Sequence, residues 1–140
     1  MIAYQVNLDY ERQTGEDNPG RVKEVYLVEN VITPSEAENI VLNEIKPFIY
    51  GDCDVKKIQK REFFDVFPAE HGEFYYEAKV EMITIDGDKE TRKAVNMLIQ
   101  GNSIHDALKE LKFKLDSYDC EIITIKKSPI LDILKTEETK

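Results

Sequence analysis

Residues 52–67 read DCDVKKIQKREFFDVF, and residues 119–134 read DCEIITIKKSPILDIL. The two segments align without a gap at a separation of 67 residues. Most aligned residues change only within a chemical class, and five are unchanged, which in the first segment are Asp52, Cys53, Ile58, Lys60 and Asp65. A matched run of this kind indicates an internal repeat. We interpret the chain as two copies of one supersecondary unit.

The sequence before each segment predicts a β-hairpin. Apolar and polar residues alternate over residues 4–10 and again from Phe74, which is typical of a half-buried strand. Strand character returns at residues 21–28 and 91–100. Residues 12–20 and Asp86-Gly87 carry the glycines and polar residues of hairpin turns. Residues 52–67 and their counterpart are then interpreted as the third strand of each copy.

A helix is predicted between the second and third strand of each copy. Thr33 and Ser103 are suited to cap helix starts, Glu36 completes a capping box, and Pro47 ends the first helix at about residue 46. Apolar residues follow at helical spacing. They are Ala37, Ile40, Val41, Leu42 and Ile45 in the first helix, and Ile104, Ala107, Leu108, Leu111 and Leu115 in the second.

These elements predict an α+β protein, an internal duplication of a β-β-α-β unit. We expect a single domain over residues 1–140 made of two repeats, about 3–67 and 74–134, with a frayed tail at 135–140. A predominantly antiparallel sheet with two helices packed on it satisfies this pattern. Two three-stranded sheets related by pseudo-twofold symmetry satisfy it equally.

Composition limits the class of protein. A hydrophobic content of 41% is enough for a core, and a net charge of −9 argues against a strongly basic binder of duplex DNA. No apolar run is long enough to span a membrane, and the amino terminus does not have the pattern of a secretory signal. Two cysteines do not make a disulfide framework. We therefore expect a cytoplasmic protein with reduced thiols.

Catalytic and metal-binding patterns are not found in the sequence. Cys53, Cys120, His71 and His105 do not have the spacing of a zinc site, so we predict no metal and no cofactor. The sequence has no nucleophile elbow, phosphate-binding glycine loop or dinucleotide fingerprint. His71 and His105 are interpreted as exposed histidines rather than general bases. The protein is therefore predicted to be non-enzymatic.

The basic residues suggest a binding surface. Proteins that bind single-stranded nucleic acid combine a basic track with aromatic platforms on a sheet, and Phe63, Phe64, Phe74, Tyr75 and Tyr76 lie near the basic residues in the sequence. Lysines on strands also have a plain structural use, since they protect sheet edges from aggregation. The candidate nucleic-acid-binding residues are Lys56, Lys57, Lys60, Arg61, Lys79, Lys126 and Lys127.

Several segments resemble an uncharacterised family, the domain of unknown function 4494, of Bacteroides-type bacteria and their phages, including the crAss-like group. The resemblance covers nearly the whole chain and is carried by residues 25–28, 35–38, 47–49, 67–68, 75–80, 106–107 and 128–132 together with Gly51. It implies a phage or mobile-element setting and provides no catalytic residues. It also favours a single-stranded-DNA-binding replication accessory, although residues 135–140 are not the long acidic tail, with an aromatic tip, that phage single-strand binders often carry.

The leading hypothesis from the sequence is a non-enzymatic nucleic-acid-binding accessory protein of a phage or mobile element, most plausibly for single-stranded DNA. The alternative is a protein-interaction or assembly module, binding a protein partner or forming a homo-oligomer, with no nucleic-acid binding. Neither hypothesis involves a membrane.

Overall fold

The computed structural model describes residues 1–12 and 20–135, and these form two compact units. The first unit comprises Ile2–Arg61 and the chain from Pro129 onward, and the second comprises Met1 and Glu62–Ser128. In chain order the elements are β1 (Ile2–Arg12), β2 (Gly20–Glu29), α1 (Pro34–Ile45), β3 (Ile49–Glu62), β4 (Asp65–Phe67), β5 (Phe74–Asp86), β6 (Lys89–Gly101), α2 (Ile104–Lys114), β7 (Cys120–Lys127) and β8 (Ile130–Lys135).

Each unit contains a four-stranded sheet. The order is β3-β1-β2-β8 in the first unit and β7-β5-β6-β4 in the second. The hairpins β1–β2 and β5–β6 are antiparallel, as is the pair β5–β7, whereas the short strands β8 and β4 run parallel to β2 and β6. The protein is therefore α+β, with two helices and two mainly antiparallel sheets.

The prediction that residues 52–67 form one strand is wrong. The segment divides into β3 and β4, which belong to different sheets, and the segment 119–134 divides in the same way into β7 and β8. At the first break Phe63 is fully buried and the Phe64 amide donates to the Asn96 carbonyl oxygen at 2.7 Å. At the second break Pro129 has no amide hydrogen with which to continue a ladder. Each sheet therefore has four strands, where the sequence led us to expect either one sheet or two of three strands.

Both helices begin at the predicted caps, although Glu36 Oε2 accepts from the Ile32 amide at 3.1 Å, one residue before the amide that a capping box uses. Thr33 Oγ1 accepts a hydrogen bond from the Glu36 amide at 3.2 Å, and Ser103 Oγ accepts one from the Asp106 amide at 3.1 Å. The first helix ends at Ile45 and continues as a 3₁₀ turn over Lys46–Phe48. Ile104 is an exception in the predicted apolar stripe of α2, since 41% of its surface is exposed at the helix start.

A hydrophobic core lies between the helix and the sheet of each unit. In the first unit Val6, Leu8 and Tyr10 of β1 pack with Ala37, Val41 and Ile45 of α1. In the second unit Ala78 and Val80 of β5 pack with Ala107, Leu111 and Leu115. The predicted alternation along β1 and β5 is thus confirmed.

The remaining local predictions concern turns and the tail. Gly87 adopts φ +64° in the two-residue turn between Asp86 and Lys89, a backbone conformation that favours glycine. The predicted loop at 12–20 falls mainly on residues 13–19, which lie outside the described residues. Lys135 is the last residue of β8 and pairs with Glu29 at 2.9 Å, and the rest of the predicted tail also lies outside the described residues.

Candidate functional site

The predicted basic residues fall into two groups. Lys56, Lys57, Lys60 and Arg61 lie on β3 in the first unit, while Lys79 of β5 and Lys126 and Lys127 of β7 lie in the second unit. Within each unit the structure brings the members of one group onto one or two neighbouring strands.

The β3 group is divided between the two faces of its strand. Val55 and Ile58 both pack against the helix-side core, although residues three positions apart in a regular strand lie on opposite faces. The alternation is therefore interrupted at Lys56 and Lys57, which lie between them. Lys60 follows Ile58 by two residues and lies on the helix side by alternation. On β3, Lys56 Nζ lies 3.8 Å from Asp54 Oδ2. Arg61 Nη1 donates to Gln5 Oε1 at 2.8 Å.

The second group is divided in the same manner. Lys127 pairs with Tyr76 of the helix-side core, and its ammonium lies 3.7 Å from the centroid of the Phe74 ring. Lys126 pairs with Glu77 and Lys79 pairs with Thr124. Since directly paired residues share a face and neighbours alternate, Lys79 and Lys126 lie on the face away from α2.

Most of the aromatic residues near these lysines are buried. Phe63, Tyr75 and Tyr76 expose 0%, 6% and 5% of their surface, which leaves no ring face for stacking a base. Phe64 is exposed, and its ring packs edge-to-face against Tyr118 with centroids 6.2 Å apart. Phe74 is half-buried beneath Lys127.

Sequence reasoning missed an arginine bridge across three strands of the first sheet. Arg21 of β2 donates from Nε to Asp9 Oδ1 of β1 at 2.6 Å and from Nη2 to Asp54 Oδ2 of β3 at 3.1 Å. Asp9 alternates with Leu8 and Tyr10 of the core, so the bridge lies on the face away from α1.

A second arginine bridge occupies the corresponding place in the other sheet. Arg92 of β6 reaches Glu81 of β5 at 3.5 Å and Glu121 of β7 at 2.8 Å. Of the residues in the two bridges, Asp54 and Glu121 alone lie in the matched segments 52–67 and 119–134. The strands that carry the other bridge residues align at different sequence separations. Aligning each strand of the first unit separately with its counterpart in the second would have revealed the two equivalent bridges in the sequence.

Sequence reasoning also missed a buried carboxylate in the first unit. Glu24 accepts hydrogen bonds from the hydroxyls of Tyr10 at 2.6 Å and Tyr26 at 3.0 Å, and from Arg12 Nη1 at 3.0 Å. The Arg12 guanidinium lies 4.4 Å from the centroid of the Phe48 ring. We call Arg12, Glu24, Tyr10 and Tyr26 the Glu24 cluster.

The Glu24 cluster has no polar counterpart in the second unit. Glu24 pairs with Leu8 and Tyr26 with Val6, whereas Val95 pairs with Val80 and Met97 with Ala78. The pKa of Tyr10 is raised to about 12, mainly by burial and to a smaller extent by the hydrogen bond to Glu24. Burial is also the main cause that raises the pKa of Tyr26. Both phenols therefore keep their protons near neutral pH, which suits a structural network better than acid–base catalysis.

The cysteines and histidines take ordinary positions. Both cysteines are free and partly buried, and burial, ahead of the neighbouring aspartates, raises the pKa of each thiol. His71 and His105 are exposed. Over residues 1–12 and 20–135, no three or more His, Cys, Asp or Glu side chains are grouped to hold a metal ion. No helix in the same part of the chain is long and apolar enough to cross a membrane.

The open sheet edges carry an ordered charge pattern. Among the described strands, β3 and β7 each end a sheet and so have one hydrogen-bonded neighbour. On β3 the exposed Asp52 and Asp54 come before the lysines. Asp119 directly precedes β7, and Glu121 near the start of the strand comes before Lys126 and Lys127 at its end. We call the outer sides of these strands the β3 edge and the β7 edge. Each has its aspartate or glutamate residues near the start and its lysines in the second half, and β3 also ends in Glu62.

The fold and these surfaces define an α+β protein with two helix-covered sheets whose third strands form open edges of mixed charge. The chain belongs to the family described as domain of unknown function (DUF4494), whose model matches residues 3–136. No curated protein and no solved structure matches the chain.

Proposed function

We propose that this protein is an interaction or assembly module that binds a protein partner along its open sheet edges. The observation that carries this proposal is the charge pattern of the β3 edge and the β7 edge, in which a carboxylate half is followed by a lysine half. A partner strand with the reverse order of charges fits such an edge in one orientation, because opposite charges directly across a ladder stabilise pairing.

The length of the β3 edge also supports pairing. The strand has 14 residues, whereas strands are usually 3–10 residues long and edge strands are commonly kept short to prevent association. An open edge presents unpaired backbone N–H and C=O groups, and strand addition uses those groups for affinity and the side chains for specificity.

The experiment combines a native mass measurement with purification from the source cells. A strictly monomeric protein with no co-purifying partner would contradict the proposal. The edge variant Lys57→Glu/Lys60→Glu/Lys126→Glu is expected to lose the partner. The matched variant Lys109→Glu/Lys112→Glu/Lys114→Glu makes the same charge change on exposed positions of α2 and is expected to retain it.

Binding of single-stranded nucleic acid is a second candidate, favoured by one observation. Within the described residues, Lys57, Lys60, Lys79 and Lys126 are exposed and form no ion pair, so their ammonium groups are available to phosphates. This candidate ranks second for two reasons. Three of the five aromatic residues are buried, and carboxylates lie beside the lysines.

Fluorescence anisotropy with a labelled single-stranded oligonucleotide tests the second candidate. Binding is expected at low salt, and its affinity should fall steeply as salt is added, because phosphate contacts release counterions. Lys57→Glu/Lys60→Glu should weaken it, while Lys109→Glu/Lys112→Glu should not. An unchanged anisotropy at low salt would reject nucleic-acid binding.

The proposal extends to the origin of the two units. We infer that they are copies of one β-β-α-β unit within a single domain, in a phage or mobile-element setting. The equivalent arginine bridges support the duplication, as do Asp65 and Asp132, each of which accepts a hydrogen bond from the next residue's amide at 2.8 Å. Asp65 pairs with Met97 and Asp132 with Tyr26, both of them core residues of the second strand in their unit.

A further inference from the structure

The β3 edge fits a second copy of the same strand. In an antiparallel pair the first half of each strand lies opposite the second half of the other. We propose that two copies of this chain associate through antiparallel pairing of their β3 edges, which joins two four-stranded sheets into one of eight strands. The inference deepens the proposed function, on which it rests, by naming the partner.

The charge order of β3 is self-complementary. Asp52 and Asp54 occupy the first half of the strand, and Lys56, Lys57 and Lys60 occupy the second. With a twofold axis between Val55 and Lys56, Asp54 of one copy lies opposite Lys57 of the other, and Cys53 lies opposite Ile58. In this register Asp54 of each copy faces Lys57 of the other, which gives one carboxylate–lysine pair on either side of the axis. Cys53 and Ile58 meet next to each of these pairs, on the helix side.

A lysine-rich edge of a single sign would repel every copy of itself, which is the usual protective arrangement. Here the sign changes at the middle of the strand, so the parallel approach is repulsive and the antiparallel approach is attractive. The strand as a whole carries four cations and three carboxylates, a net charge of +1, while the chain carries −9. The β3 edge is therefore a place where two copies meet with little long-range repulsion.

The exposure of the strand permits this contact. Within β3, Cys53, Val55 and Ile58 pack inward on the core of the unit, and nine other positions are exposed. They are Tyr50, Gly51, Asp52, Asp54, Lys56, Lys57, Gln59, Lys60 and Glu62.

Sedimentation equilibrium of the full chain over a range of concentrations tests the proposal. The natural sequence is expected to dimerise. Lys57→Glu/Lys60→Glu should raise the dimer dissociation constant on the order of tenfold or more, because pairs that attracted now repel. Lys109→Glu/Lys112→Glu carries the same charge change on α2 and should leave the constant unchanged. A natural chain that stays monomeric at all concentrations would overturn the inference.

A mixing experiment removes the concern that a variant has merely been damaged. Asp54→Lys places a lysine opposite Lys57 of a second copy, and Lys57→Glu/Lys60→Glu places a glutamate opposite Asp54. Each variant alone should be mainly monomeric, and an equimolar mixture should form a mixed dimer detectable by native mass spectrometry. Mixed dimers no more abundant than either homodimer would count against β3 pairing.

Amide hydrogen exchange locates the interface. Protection of β3 amides is expected to rise with protein concentration, while that of α2 amides stays constant. Dimerisation with unchanged β3 protection would assign the contact to another surface. If the chain is monomeric but retains a partner that the edge variant loses, this inference fails and the proposed function stands; if no partner is retained either, both fail.

Discussion

Glu24 is a carboxylate with three hydrogen-bond donors and little contact with water. Replacing it by alanine leaves two buried hydroxyls and a guanidinium without their acceptor, so Glu24→Ala should lower the free energy of unfolding by about 2–5 kcal/mol. Denaturant unfolding monitored by circular dichroism measures this change. The exposed Glu90, which forms an ion pair with Arg92 at 3.4 Å, provides the control, and Glu90→Ala should change stability by less than about 1 kcal/mol.

The second unit indicates how the three buried members of the Glu24 cluster, Tyr10, Glu24 and Tyr26, can be replaced together. It carries Met82, Val95 and Met97 in its core where the first unit has Tyr10, Glu24 and Tyr26. The combined change Tyr10→Met/Glu24→Val/Tyr26→Met should recover most of the stability that Glu24→Val alone removes, because it leaves no buried hydroxyl without its acceptor and the Arg12 side chain, 31% exposed, can turn to water. A triple variant less stable than the single one would contradict this account.

Tyr10 makes the stability of the protein fall as the pH rises through the alkaline range. Its pKa is about 12 in the folded chain and 10.0 in the reference state, so the folded state holds the phenol proton more tightly. The resulting stability is fully present below pH 10 and is lost as pH rises through about 12, in total on the order of 2–3 kcal/mol. Unfolding free energies measured from pH 8 to 12 test this, and Tyr10→Phe should flatten the decline. An equal decline in the Tyr10→Phe variant would assign it to other groups.

The burial of Glu24 could have been predicted from the sequence. The apolar residues Val22, Tyr26 and Val28 identify the inward positions of the second strand, and Glu24 stands at an inward position between them. A charged residue on a buried face requires partners, and Tyr10 was already assigned inward. The arginine bridges were harder to find, because their three members are spread over three strands with unequal separations.

At the scale of single elements, the helix caps form a matched pair. Thr33→Ala and Ser103→Ala each remove an acceptor for an orphan amide at a helix start, so each should lower the free energy of unfolding by about 0.5–2 kcal/mol. Ser35 lies on the first turn of α1 but does not cap it, and Ser35→Ala should have little effect. Thermal melts of the three variants distinguish these outcomes, and an equal loss in all three would contradict the capping role.

Local elements were predictable from sequence because their signals are local. Caps, strand alternation and the Asp86-Gly87 turn depend on residues a few positions apart, and the structure confirms them. The sheet to which β4 belongs was not predictable in this way. Its three residues pair in parallel with Met97–Ile99, about 30 residues away, and parallel pairing of so short a strand leaves no periodic pattern. The open edges were predictable in charge but not in position, because strand order comes only from the structure.

At the scale of the whole molecule, each sheet includes a strand that follows the third strand of the other sheet. The first sheet receives β8, which follows β7, and the second receives β4, which follows β3. Ile130 is 3% exposed and Leu134 packs against the core of the first unit, so β8 adds apolar contact as well as a ladder. Cutting the chain between Phe67 and Pro68 therefore leaves each half without one strand of its sheet.

This arrangement predicts how half-chains behave. A fragment of residues 1–67 lacks β8 and leaves the buried residues Val25–Val28 of β2 at a new edge. A fragment of residues 68–140 lacks Phe63 and β4. Each fragment alone should melt without a cooperative transition by circular dichroism, and an equimolar mixture should recover one, because a sheet missing a buried strand exposes apolar surface to water. The control joins residues 129–135 to residues 1–67 through a glycine–serine linker and so returns β8 to the first sheet. That fragment should melt cooperatively without its partner half, and the account would be wrong if residues 1–67 alone melted just as cooperatively and at the same temperature.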